Sequence, residues 1–370
     1  MTRGAGLGLV LALGVAPAAS EAQPTGTPAA TATPRRNTCL VRRVTFDAGA
    51  LPGMTHGQPA AVVPWEGGAL VAWLDPAGAL RGRMLDGEGA PIGDVRVLAT
   101  GVLQFAATRT ATGFALAWLE ATRDLVLARV NLRLEGQNVP RVVRTFGAGE
   151  PVTGIQIATV RDGMVMVWSR PAERAVMALA TDGRGVPRGG PAPVTEGLSP
   201  RLVRLGESDT TVLLVEPGGG GTGVHTLGPD LSLGMRLRWP AGAVGPVELH
   251  GSVYTVQPMV TGQLLLMRVP AGGGIPATMP DLSQAPGLRP LWAHGAAGVV
   301  LARARDTRTA RESLVRLFSD GSSSVVTPFR GWSDDEPVWL GPDGVAWALQ
   351  REGPTHGAPR PGVLRVQCPR

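Results

Sequence analysis

The stretch "GALVAWLDPAGALRGRML" (residues 68–85) reads as an apolar strand, a turn and a second strand carrying two arginines. The first of these strands is apolar on both faces, which suits a strand sandwiched between neighbours with neither face in water. Alternate side chains leave opposite faces of a strand, so Val71 and Trp73 are expected to pack one way and Leu70 and Ala72 the other. The same six-residue pattern returns as "GFALAW" (113–118), "GMVMVW" (163–168), "DTTVLL" (209–214), "GQLLLM" (262–267), "GVVLAR" (298–303) and "GVAWAL" (344–349). The seven copies end 45, 50, 46, 53, 36 and 46 residues apart, about 46 on average, which is the period of a propeller blade.

A second register supports the first. Acidic turns follow the first six copies at Asp86, Glu135, Asp182, Asp230, Asp281 and Asp320, again about 47 residues apart, and Asp-Gly is a strong hairpin-turn signal. Prolines mark the copy starts at Pro59, Pro151, Pro200, Pro246, Pro290 and Pro337. In the first copy, strands are expected at about 60–65, 69–74, 79–85 and 94–99, joined by "EGG", "DPAG" and "DGEGAP". No stretch has the i, i+3, i+4 pattern of a long amphipathic helix. The expected fold is therefore all-β: a single closed β-propeller of about seven four-stranded blades. Glycine (52) and proline (33) are about double and almost double their usual shares, which frequent turns explain.

Cysteine placement suggests how the ring closes. Cys39 and Cys368 are the only two cysteines and lie 329 positions apart at the ends of the folded region. The seventh copy lacks a fourth strand, whereas "CLVRRVTF" (39–46) precedes the first copy as an orphan strand. An N-terminal strand completing the last blade would lie beside "GVLRVQC" and bring the two thiols within bonding reach as a structural disulfide.

Residues 1–22 have an early arginine, an apolar stretch from about Leu7 to Val15 and small residues at Ser20 and Ala22, the pattern of a secretory signal peptide cleaved after Ala22. The Pro/Thr/Ala-rich segment 23–38 reads as a disordered linker, leaving 39–370 for the propeller. No later stretch is apolar and long enough for a membrane helix, so a secreted or periplasmic protein is expected. The formal net charge of +6 comes from arginine alone, without lysine, and the arginines are scattered through the copies. Export and scatter together argue against nucleic acid as a partner.

The copies resemble the β-propeller repeats of secreted bacterial proteins. In "PVWLGPDGVAWAL" (337–349), Pro337, Trp339, Pro342, Asp343 and Gly344 are similar to the "P-x-W-S-P-D-G" repeat of the periplasmic Tol-system propeller family, with Leu340 and Gly341 in place of the serine. The resemblance is one of architecture, and it implies a scaffold that hosts many activities.

Residues able to carry chemistry are sparse. His56, His225, His250, His294 and His356 stand apart without zinc-ligand spacing, and each reads as a loop or packing residue. The stretch "EPGGGGTG" (216–223) lacks the lysine of a phosphate loop and reads as a hairpin. "SDDEP" (333–337) is the densest acidic cluster, without the alternating ligands of a calcium loop, and reads as a solvated turn. Trp73, Trp118 and Trp168 are expected to fill wedges between blades, because Leu214, Met267 and Arg303 replace them in other copies. No cofactor, metal or catalytic residue is assigned. The expected function is an exported, non-catalytic monomer binding a protein or glycan at the cell envelope or outside the cell. The alternative is a propeller hydrolase or lyase with loop-borne carboxylates at the central channel.

Overall fold

Each of the first three copies opens on a glycine because two strands come too close there for a side chain. A Cβ on Gly68 would stand 2.1 Å from the carbonyl oxygen of Leu85, on Gly113 2.1 Å from that of Val130, and on Gly163 1.9 Å from that of Thr181. The contact is made at the same point of three successive sheets, which is why the glycine recurs with the blade.

The computed structural model describes residues 38–47, 49–206, 208, 210–216, 221–239, 242–259, 261–269, 286–333, 337–352 and 359–369. The expected signal peptide and nearly all of the expected linker lie outside these residues. The fold is a seven-bladed β-propeller of antiparallel sheets. Blade 1 consists of Ala60–Trp65, Gly68–Leu74, Leu80–Asp86 and Pro91–Ala99, paired in that order. The inner strands of the following blades are Val102–Arg109, Thr153–Val160, Leu198–Leu205, Val244–Leu249, Leu288–Ala296 and Trp339–Leu340. Six sheets have four strands; blade 5 has three among the described residues, and the interval where a fourth is expected, 270–285, lies outside them. A 3-10 turn at Pro171–Glu173 is the only helical element among the described residues.

The core lies between blades. Gly68–Leu74 is buried along its whole length. Its odd-numbered Ala69, Val71 and Trp73 join Trp347 and Leu349 of blade 7, while Leu70, Ala72 and Leu74 join Phe114, Leu116 and Trp118 of blade 2. Trp168 packs in the wedge between blades 2 and 3. Where blade 6 places Arg303 at the tryptophan position, the guanidinium is only 1% exposed and pairs with Glu312 at 2.8 Å, under the ring of Phe329.

Hairpin turns carry side-chain caps that fix their shape. Oδ1 of Asp86 accepts the backbone N–H groups of Glu88 and Ala90, and Oδ1 of Asp182 accepts those of Arg184 and Val186. In blade 2 the same cap is Asn131, which accepts from Arg133 and Glu135. The sequence register placed this turn on Glu135, four residues late, because an asparagine does the work expected of an acid.

The ring closes as expected. Leu40–Thr45 pairs antiparallel with Arg360–Gln367 and forms the outer strand of blade 7. Cys39 and Cys368 flank this pair and are joined by a disulfide, their Cα atoms 4.1 Å apart. The closing strand also reaches both neighbouring blades: Arg42 pairs with Glu88 of blade 1, and Arg43 donates to Thr327 Oγ1 at 2.7 Å in blade 6.

Candidate functional site

The blades are related by rotation about one axis, so the inner strands run side by side along it and their first and last residues ring opposite mouths. Between them lies a cavity of about 1010 Å³, lined by the inner strands of every blade except the fifth. Five of the inner strands are irregular, as are several outer strand pairs. The pairing register shifts at Leu103, Gly154–Ile155, Ser199–Pro200, Gly245–Pro246 and Leu291, always near the start of the strand. Such bulges re-aim side chains, and here they sit at one mouth of the channel.

Four side chains make a connected wall near that mouth. The guanidinium of Arg201 in blade 4 lies 5.6 Å from the ring centre of Trp292 in blade 6. Trp292 meets Trp339 of blade 7 edge-to-face at 5.1 Å, and Trp339 meets His294 in the same manner at 5.3 Å. The indole N–H of Trp292 donates to the carbonyl of Val338, which holds one ring against the next blade. Trp339 remains half-buried and Trp292 is nearly covered. The wall therefore offers an aromatic surface bordered by polar groups, a composition that holds small ligands by stacking and orients them by hydrogen bonds.

His294 is electrically quiet. Its Nδ1 accepts the backbone N–H of Leu340 at 3.2 Å, which assigns the ring proton to Nε2. Burial pushes its pKa down to about 4, so the ring is neutral near pH 7 and acts as a hydrogen-bond donor without charge.

The opposite mouth carries two arginines, with Glu66 and Asp343 acting electrostatically on one of them, Arg109. Arg109 and Arg204, at the ends of the inner strands of blades 2 and 4, line the cavity with Thr159 of blade 3. Over the whole lining, Arg109, Arg201 and Arg204 stand against one carboxylate, Glu216, and one histidine, His294, among the described residues. No group of three or more potential metal ligands occurs among the described residues.

The residues considered from sequence fall as follows. His225 is buried in blade 4, His250 occupies a turn and His56 stacks edgewise on Trp332, none of them in the lining, while His356 lies outside the described residues. Of the acidic cluster only Ser333 and Pro337 are described, and both line the cavity. Residues 217–220 of the glycine-rich stretch are likewise outside. Trp73, Trp118 and Trp168 are buried in the wedges and take no part in the site. The sequence does not single out Arg109, Arg201, Arg204 or Trp292, and in it His294 reads as a loop or packing residue. The signal available was their shared place: all lie on the strand preceding each apolar hairpin, which the repeat itself marks as the channel wall.

No family model matches this chain, and no curated protein matches it. Among solved structures, the chain is similar to a streptogramin B lyase, with 13% identity, a TM-score of 0.53, and coverage of 89% of this chain and 98% of that one. It is also similar to the BP39L lectin from Burkholderia pseudomallei, with 13% identity, a TM-score of 0.51, and coverage of 86% and 93% respectively. These likenesses define the class, a β-propeller, over nearly all of the described chain. At this identity they define the fold alone.

Proposed function

We propose that this protein is an exported binding protein whose axial cavity receives a glycan against Trp339, Trp292 and His294. The observation that carries the reading is the edge-to-face series of Trp292, Trp339 and His294 along a cavity wall. Sugar rings present apolar C–H faces and polar edges, which an aromatic surface with neighbouring donors matches. A lectin among the structural neighbours is consistent with it. Export rests on the N-terminal pattern of residues 1–22, with the disulfide as a compatible feature.

The test is a glycan array followed by titration calorimetry on the wild type and on Trp339→Ala. Binding should weaken at least tenfold in Trp339→Ala and persist in Trp339→Phe, with both variants melting cooperatively. Failure of the wild type to bind any glycan at millimolar concentration would overturn the proposal. So would equal binding by the alanine variant.

A further inference from the structure

The mouth that carries Arg109 and Arg204 has the chemistry of an anion site. The guanidinium of Arg109 is half-buried and makes no hydrogen bond or ion pair with any described residue; its contact is with the ring face of Trp65, 6.0 Å from the centre. Arg204 donates from Nη1 to Thr159 Oγ1, which fixes this second guanidinium on the blade between the two arginines. Burial and the charge of Arg204 both disfavour the cationic form of Arg109, while Asp343 and Glu66 partly offset them. Neither carboxylate closes a salt bridge on Arg109. Oδ1 of Asp343 also accepts the N–H of Val345.

The half-buried charge of Arg109, without a hydrogen-bonded acceptor and with Arg204 beside it, leaves a place for a bound negative charge. Planar guanidiniums match the two oxygens of a carboxylate or the oxygens of a sulfate. Arg201 and Arg204 stand three residues apart on one inner strand, about 10 Å along the axis. A ligand reaching from the aromatic wall to this mouth is therefore an oligomer, with its charge at the far end.

We propose that Arg109 and Arg204 bind the anionic substituent of an acidic oligosaccharide, a uronate carboxylate or a sulfate ester, whose other end rests on the aromatic wall. This rests on the glycan reading above for the sugar part, but not for the charge.

The experiment is titration calorimetry with trigalacturonate, a sulfated trisaccharide and a neutral trisaccharide on the wild type, Arg109→Gln and Arg204→Gln, with free sulfate and glucuronate as small probes. The wild type should prefer at least one acidic ligand at least tenfold over the neutral one, and Arg109→Gln should remove that preference. The acidic ligand preferred identifies carboxylate or sulfate as the group bound. Thermal melts of both variants check that each remains folded. Equal affinity for acidic and neutral sugars in the wild type, or an unchanged preference in both variants, overturns the anion site and leaves the glycan reading standing. If small anions bind in an Arg109-dependent manner but no sugar binds, the anion site stands and the glycan reading falls.

Discussion

Arg201 and Trp292 touch across the ring, joining blade 4 to blade 6 past the head of blade 5. The guanidinium lies 5.6 Å from the indole centre, and a continuous apolar cluster runs beneath it from Leu214 and Trp239 through Ala243 to Trp292 and Leu301. A partly desolvated pair of this kind contributes about 1 kcal/mol. Denaturant unfolding of Arg201→Met, Trp292→Leu and the double variant should give a coupling of about that size. Purely additive losses would show that the two side chains do not support one another.

The disulfide is expected to stabilise closure without serving the site. Blades pack mainly on their neighbours, and blade 7 holds the seam where the first and last described strands pair, so opening begins there. Replacing Cys39 and Cys368 by serine should cost about 2 to 5 kcal/mol, the usual range for a native disulfide. Reduction of the native protein gives the cleaner control, since it keeps both side chains in place. Loss of ligand binding in a serine variant that still melts cooperatively would assign the bond a further role.

Arg303 replaces an apolar residue and depends on its partner. Glu312 accepts from Arg303 Nε at 2.9 Å and from Arg305 Nη2 at 2.5 Å. Glu312→Ala should destabilise by removing the carboxylate that Arg303 and Arg305 share, whereas Arg303→Met with Glu312→Leu should recover most of the loss. Gly331 makes room for the guanidinium, because an added Cβ would stand 2.9 Å from Cζ of Arg303 and 2.7 Å from the backbone oxygen of Ser333. Gly331→Ala should therefore also destabilise, as thermal melts would read directly.

Acid should weaken the fold in two stages. His294 titrates near 6.5 when unfolded and at about 4 when folded. Between these values the unfolded chain binds more protons, so stability falls as pH drops from 6.5 to 4, by about 3 kcal/mol in all. A second loss follows below the ordinary carboxylate range. Burial alone would raise the carboxyl of Asp75, but hydrogen bonds from Ala79, Arg81 and Ala77 outweigh it and hold it low. A depressed carboxyl contributes stability that is present above its unfolded pKa and disappears as pH falls through the folded one. Denaturation midpoints from pH 7.5 to 2.5 check both stages, and His294→Gln should flatten only the first.

The propeller was readable because its signals are backbone requirements repeated at one place. A glycine is needed at Gly68, Gly113 and Gly163 for want of space, and the strands that follow are apolar on both faces because each lies between two blades. The site was harder to see. Trp292, His294 and Trp339 come from two strands about 45 residues apart in sequence, and Arg201 reaches them from a third. Only the closed ring brings them together, and no single copy contains the group. His294 looked like a packing residue and in part is one, being only 7% exposed. Its hydrogen bond to Leu340, on the next blade, appears only once the blades are stacked.

The pairing of Leu40–Thr45 with Arg360–Gln367 also sets an order of events. Leu40–Thr45 has no partner until Arg360–Gln367 has been made, so the circle stays open while the blades between them form. Closing it joins residues 329 positions apart, a slow long-range search compared with forming each blade from its own neighbours. A chain truncated after residue 359 should accordingly form its blades yet leave the amides of Leu40–Thr45 unprotected in hydrogen exchange. Protection of those amides in the truncated chain would mean that the first strand waits elsewhere in the ring.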